Sequence, residues 1–94
     1  MSKRIVFLGG GNMAEAIIKG VLRKRVFTKN DIFVADVRKE RLSDIKKCYG
    51  VEIVDNNPEG ARKADILVLA VKPQQIAGLL EEIKDEVQKK QLVA

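Results

Sequence analysis

An α/β fold, an open parallel sheet with helices on both faces, is what this 94-residue sequence predicts. Three observations predict it. Short apolar runs at 5–8, 32–35 and 66–71 alternate with stretches whose apolar residues recur at helical spacing. The runs are apolar throughout rather than alternating with polar residues, as expected of parallel strands covered on both faces. The length allows one small domain, and right-handed crossovers between parallel strands leave few ways to connect the elements.

The elements follow in order. Ile5 to Leu8 form the first strand and lead into Gly9-Gly10-Gly11. A helix beginning near Asn12 or Met13 follows, with Ala14, Ile17, Ile18, Val21 and Leu22 on one stripe and Glu15, Lys19 and Arg23 on the other side. Its basic end at Arg23 to Arg25 suits the helix dipole. Thr28-Lys29-Asn30 is a turn, and residues 31–35 are a second strand ending at Asp36. Residues 38–49 make a second helix with Leu42, Ile45 and Tyr49 inward and Gly50 as its stop. Cys48 lies beside that stripe and reads as an inert packing residue. Residues 51–54 are a short third strand; Asn57 before Pro58 reads as the cap of a short helix to Lys63. Residues 66–71 are the most hydrophobic strand and so belong at the centre of the sheet. Pro73 opens the last helix, with Ile76, Leu79, Leu80, Ile83 and Val87 as its apolar face, and Leu92-Val93-Ala94 begins a fifth apolar run at which the sequence stops.

This pattern gives a Rossmann-type open parallel sheet in the order 3-2-1-4-5, truncated at the fifth strand. In such sheets ligands bind at the carboxyl ends of the strands, where the strand order reverses. Here that point lies between the first and fourth strands. It brings the glycine turn and Ala70-Val71-Lys72-Pro73, which are far apart in sequence, to one crevice.

Composition narrows the function classes. The apolar fraction of 46% and charged fraction of 33% belong to a globular chain, and no apolar run approaches the ~20 residues that span a bilayer. The absence of histidine excludes imidazole acid–base catalysis and histidine-ligated zinc, and no metal site is expected. A single cysteine excludes an internal disulfide framework and, with no signal-peptide pattern at Met1 to Arg4, points to the cytoplasm. The net charge of +5 is spread over Lys3-Arg4, Arg23 to Arg25, Lys46-Lys47 and Lys89-Lys90 with few aromatics. That reads as solvated helix faces rather than a nucleic-acid surface, while a mild positive field favours an anionic cofactor.

The candidate site follows from spacing. Gly9, Gly11 and Ala14 fit the G-x-G-x-x-[G/A] pattern of dinucleotide-binding βαβ units. Gly9 allows the tight exit from the strand, Gly11 admits a pyrophosphate against the backbone, and Ala14 lets the helix pack closely. The helix start aims free N–H groups at the phosphates. Asp36 ends the second strand about twenty residues beyond Ala14, where an acid binds the adenosine ribose of NAD; an ordinary loop acid is the alternative. At ~5 Å and an effective dielectric of ~20, its charge would repel a 2′-phosphate by about 3 kcal/mol. Arg38, Lys39 and Arg41 follow closely enough to cancel this, so NADPH or NADH is expected without a preference between them. Asn57 is either an adenine-side contact or only the helix cap. Lys72 is either a cation at the nicotinamide half or a solvated lysine.

Gly9-Gly10-Gly11-Asn12-Met13-Ala14-Glu15-Ala16-Ile17, together with Ala70-Val71-Lys72-Pro73-Gln74, resembles the N-terminal cofactor-binding domain of pyrroline-5-carboxylate reductase. The continuation Asn-Met-Ala-Glu-Ala-Ile is far more specific than the glycines, and the likeness extends over the whole chain. The resemblance implies NAD(P)H-dependent reduction of 1-pyrroline-5-carboxylate to L-proline, the last step of proline biosynthesis. By position it places Leu8, Gly9, Gly10, Gly11, Asn12 and Met13 at the pyrophosphate and Asp36 at the adenosine ribose. It places Asn57 by the adenine half and Ala70, Val71, Lys72 and Pro73 at the nicotinamide ribose. No catalytic residue is carried over. Residues 1–94 are then a single NAD(P)-binding Rossmann domain, a fragment lacking the C-terminal helical domain that forms the homo-oligomer and most of the site for the small imine substrate. On that reading the chain alone is inactive. Two rival readings are the cofactor domain of a related imine, F420-dependent or β-hydroxyacid reductase, and a non-catalytic nucleotide-sensing module.

Overall fold

The computed structural model describes residues 3–87 and 92–93. Four parallel strands, β1 (Ile5–Leu8), β2 (Ile32–Ala35), β3 (Glu52–Ile53) and β4 (Ile66–Leu69), lie in the order β3-β2-β1-β4. Beyond β4 a two-residue strand, β5 (Leu92–Val93), runs parallel to it, with Ile66 opposite Leu92. Lys89, Lys90 and Ala94 lie outside the described residues. β1 pairs with β2 from Ile5–Ile32 to Leu8–Ala35, and with β4 from Ile5–Ile66 to Leu8–Leu69. The order reverses beside β1, so the ends of β1 and β4 flank the switch point.

Every residue of β1 is buried, and its period-2 geometry sorts the core into two halves. Ile5 and Phe7 face Ala14 and Ile18 of α1 (Asn12–Arg23) and Leu42 and Ile45 of α2 (Lys39–Tyr49). Val6 and Leu8 face Ala61 of α3 (Asn57–Lys63) and Leu79 and Ile83 of α4 (Pro73–Ile83). Each fully buried side chain of this size contributes roughly 1.5–3 kcal/mol over its exposed state. The strand that carries the glycine turn is therefore also the most firmly seated.

Several boundaries differ from the sequence expectation for local reasons. Asp31 belongs to a 3-10 turn (Lys29–Asp31) rather than to β2, and its carboxylate accepts from the Thr28 hydroxyl at 2.9 Å. Val51 and Val54 are buried but flank a β3 of only two residues. Asn56, not Asn57, caps α3: its side chain accepts from the Glu59 N–H at 2.8 Å, and Asn57 becomes the first helical residue. Gly50 ends α2 at φ 71° as expected. Cys48 is exposed rather than packed. On the last helical face Leu79 and Ile83 are buried, while Leu80 and Val87 are exposed. Among the described residues no helix is long and apolar enough to cross a membrane.

Candidate functional site

Three strand ends meet at Gly9. Its N–H donates to the Ala35 carbonyl at 2.8 Å, and Ala70 continues the β4 ladder by donating to the Leu8 carbonyl at 2.9 Å. Gly9 has φ +112°, and a Cβ there would lie 2.3 Å from the Ala70 carbonyl oxygen. No other residue type fits this corner. The close approach also draws the end of β4 against the turn, which forms the crevice.

Gly11 stands at the N-cap of α1 without a side-chain cap, and the first helical hydrogen bond runs from Glu15 N–H to the Gly11 carbonyl. The N–H groups of Gly11, Asn12, Met13 and Ala14 are therefore left without helical partners at the positive end of the dipole. A Cβ on Gly11 would meet nothing nearer than Arg38 Nη2 at 3.9 Å, so this side of the turn is an open cradle. It opens into a crevice of about 930 Å³.

The structure gathers Gly9, Gly10, Gly11, Asn12 and Asp36 on one side of this crevice, with Ala70, Val71 and Lys72 on the other, where Asn57 bonds to Glu82 of α4. Three expected residues stand apart from its lining. Leu8 is fully buried in the core, Met13 is 53% exposed on α1, and Pro73 opens α4 behind Lys72. Lys72 is exposed and makes no ion pair among the described residues. Its backbone N–H donates to Gln75 Oε1 at 3.2 Å. Freed from capping, the Asn57 amide donates to Glu82 Oε1 at 3.1 Å.

Asp36 is tied to its own chain through both carboxylate oxygens. Its Oδ1 accepts from the Arg38 backbone N–H at 2.8 Å and from Arg38 Nε at 3.0 Å; its Oδ2 accepts from the Gly10 N–H at 2.8 Å and from Arg38 Nη2 at 2.9 Å. Four donors fill the carboxylate's acceptor sites. The Arg38 side chain, foremost, together with both backbone N–H groups, outweighs burial and lowers the Asp36 pKa to about 2. The carboxylate is only 7% exposed, whereas its partner guanidinium is 59% exposed on the crevice. What faces the crevice here is the cation.

A second cluster escaped the sequence reading. Arg41 Nε donates to the Gly10 carbonyl, and Arg41 Nη2 lies 2.6 Å from Glu15 Oε1. The Tyr49 hydroxyl donates to the other Glu15 oxygen. The bonds from Tyr49 first and Arg41 second hold the Glu15 carboxyl below its usual range, while the bond to Glu15, with burial, pushes the Tyr49 hydroxyl up to about 12. Periodicity gave Glu15 a solvated face. The only signal was the pairing of its acid with a cation on the next helix, which sequence spacing does not reveal.

The sheet order, the helices on both faces and a glycine turn at the switch point define a Rossmann-like α/β domain. Residues 4–94 match the family described as NADP oxidoreductase, coenzyme F420-dependent, and the chain belongs to that family. The pyrroline-5-carboxylate reductase of Methanosarcina acetivorans is 33% identical over 92 residues, covering 98% of this chain and 34% of that protein. The solved pyrroline-5-carboxylate reductase of Coxiella burnetii superimposes with a TM-score of 0.85 at 38% identity, over 95% of this chain and 33% of the other. A Plasmodium falciparum pyrroline carboxylate reductase, solved with NADP bound, gives 0.81 at 27% identity, over 97% and 32%. The expected resemblance is thus found. The chain spans about a third of the length of the curated relatives it matches.

Proposed function

We propose that this chain is the cofactor-binding domain of an NAD(P)H-dependent reductase that converts 1-pyrroline-5-carboxylate to L-proline. The observation that carries the reading is the crevice, where the glycine turn faces Ala70, Val71 and Lys72 in a chain whose relatives include pyrroline-5-carboxylate reductases. The residues suit a dinucleotide. Gly11 leaves the cradle open, the helically unpartnered N–H groups of Gly11 and Asn12 line the crevice, and Arg38 and Lys72 supply positive charge along it.

In this reading the backbone from Leu8 to Met13 holds the pyrophosphate, Leu8 contributing no side chain because it is fully buried. Asn57 lies on the adenine side, and the segment from Ala70 to Pro73 holds the nicotinamide ribose. Asp36, with its acceptor sites filled, does not bind the ribose diol; it holds Arg38 and the Gly10 N–H instead. Arg38 then favours a 2′-phosphate, so we infer a preference for NADPH over NADH. When bound, the cofactor supplies the hydride that reduces the C=N carbon of the substrate. The chain's own residues bind and orient it. The substrate site and the homo-oligomer contacts belong to the remaining two-thirds of a protein of the relatives' length, and the cytoplasm is the proposed compartment.

The test is NADPH oxidation with 1-pyrroline-5-carboxylate by a full-length protein carrying this domain, beside a simple cyclic imine and a β-hydroxyacid. Preference for pyrroline-5-carboxylate is expected. Equal or better turnover of either rival substrate would refute the assignment, and proline formation by the 94-residue chain alone at a comparable rate would refute its role as a cofactor domain.

A further inference from the structure

The glycine turn is gripped from two sides. On one, the Gly10 N–H donates to Asp36 Oδ2 at 2.8 Å. On the other, the Gly10 carbonyl accepts from Arg41 Nε, and the same guanidinium reaches Glu15 Oε1 through Nη2 at 2.6 Å. Tyr49, in the last turn of α2, holds the second Glu15 oxygen. The turn, α1 and α2 therefore meet at one guanidinium, whose side chain is 23% exposed.

A staple between α1 and α2 would need only the Arg41–Glu15 pair. The additional bond to the Gly10 carbonyl has a different consequence. In a trans peptide the C=O of one residue and the N–H of the next point in opposite directions, and no cis bond occurs among the described residues. Fixing the Gly10 carbonyl therefore fixes the direction of the Gly11 N–H, the first of the four unpartnered donors at the start of α1. The planar fork of arginine serves both acceptors at once, which a lysine ammonium on a flexible stem does not reproduce.

We propose that Arg41 is a positioning residue for the pyrophosphate of a bound dinucleotide, acting through the Gly10 carbonyl, with Glu15 and Tyr49 holding it in place. The proposal rests on the reading of the crevice as a dinucleotide site and adds the residues that set its donor geometry. Arg41 pre-orders the turn, so the peptide does not have to be ordered when the ligand arrives.

Two ligands separate this role from a general structural one: NADPH, and 2′-AMP, which carries the adenine half without a pyrophosphate. Calorimetric titration of the unsubstituted chain with NADPH comes first, and no binding there would refute the crevice reading and the proposal with it. Given that binding, Arg41→Ala and Arg41→Lys should each weaken NADPH by roughly tenfold or more, as for loss of a charge-assisted hydrogen bond. Binding of 2′-AMP, followed by NMR shifts, should stay unchanged. Glu15→Gln, which keeps the shape of the side chain and loosens the grip on Arg41, should give a smaller loss in the same direction. Where Arg41→Ala fails to fold, Arg41→Lys carries the test. Wild-type NADPH affinity in Arg41→Lys, or equal weakening of both ligands, would overturn the proposal.

Discussion

The two sides of the crevice are built differently. On the turn side, Gly10, Asp36, Arg38, Arg41 and Glu15 form a continuous hydrogen-bonded unit at the end of β1, the most buried strand of the sheet. On the opposite side Lys72 is exposed with no ion pair among the described residues, and Asn57 reaches Glu82 through one exposed hydrogen bond. A rigid side can present fixed N–H donors to a phosphate at little cost in reorganisation, whereas a loosely tied side can adjust to the ligand it closes on. The structure thus divides the crevice into a pre-formed half and an adaptable half. Substitutions in the first should cost far more than substitutions in the second.

The largest effect should come where the two sides touch. Gly9→Ala forces a Cβ to 2.3 Å from the Ala70 carbonyl oxygen at φ +112°, a cost of about 3 kcal/mol or more from overpacking and backbone strain together. In a small domain that is a large share of the total stability. Loss of the cooperative melting transition by circular dichroism is expected; a melting temperature within a few degrees of wild type would show that the two sides are not in contact as described.

Next comes Asp36. Because it holds both the Gly10 N–H and Arg38, Asp36→Ala should weaken both cofactors through loss of charge-assisted hydrogen bonds, NADPH by roughly tenfold and NADH by less. A ribose-binding Asp36 predicts instead a loss confined to NADH. The same residue gives an acid signature. Its pKa in the folded chain, about 2, lies below the ordinary aspartate value, so its stabilising contribution is complete above pH ~4 and is lost as pH falls towards 2. Melting curves across that interval should fall more steeply for wild type than for Asp36→Asn, and parallel curves would remove Asp36 from the rigid half.

The smallest effect belongs to the adaptable half. Lys72→Ala removes an exposed cation and should weaken NADPH only about threefold, with no change in melting temperature. A loss as large as that of Asp36→Ala would erase the distinction between the two sides.

Much of this fold could be read from the sequence because its strands are apolar throughout and its helices carry clear stripes. β1 and β4 flanked the crevice as the spacing of their apolar runs implied, and Gly9 marked the turn. What escaped notice depended on contacts between elements. Periodicity places Leu80 and Val87 on an apolar stripe but does not say how wide a stripe the sheet can cover. Asn56 and Asn57 are adjacent and equally able to cap; the helix took the first, whose side chain reaches the Glu59 N–H. Glu15 and Arg41 sit on separate helices, so no local pattern joins them. The position of Asp36 suggested an acceptor for ribose, yet how many donors fill a carboxylate becomes visible only when the turn and Arg38 are in place.

Arg38, held by a saturated Asp36, faces the crevice at the rigid half. The most direct measurement is a pair of fluorescence titrations, NADPH and NADH, on the wild-type chain and on Arg38→Ala. Tighter NADPH binding by wild type is predicted, with the substitution costing NADPH roughly tenfold or more and largely removing the preference. Equal affinity for the two cofactors in wild type, unchanged by Arg38→Ala, would contradict it.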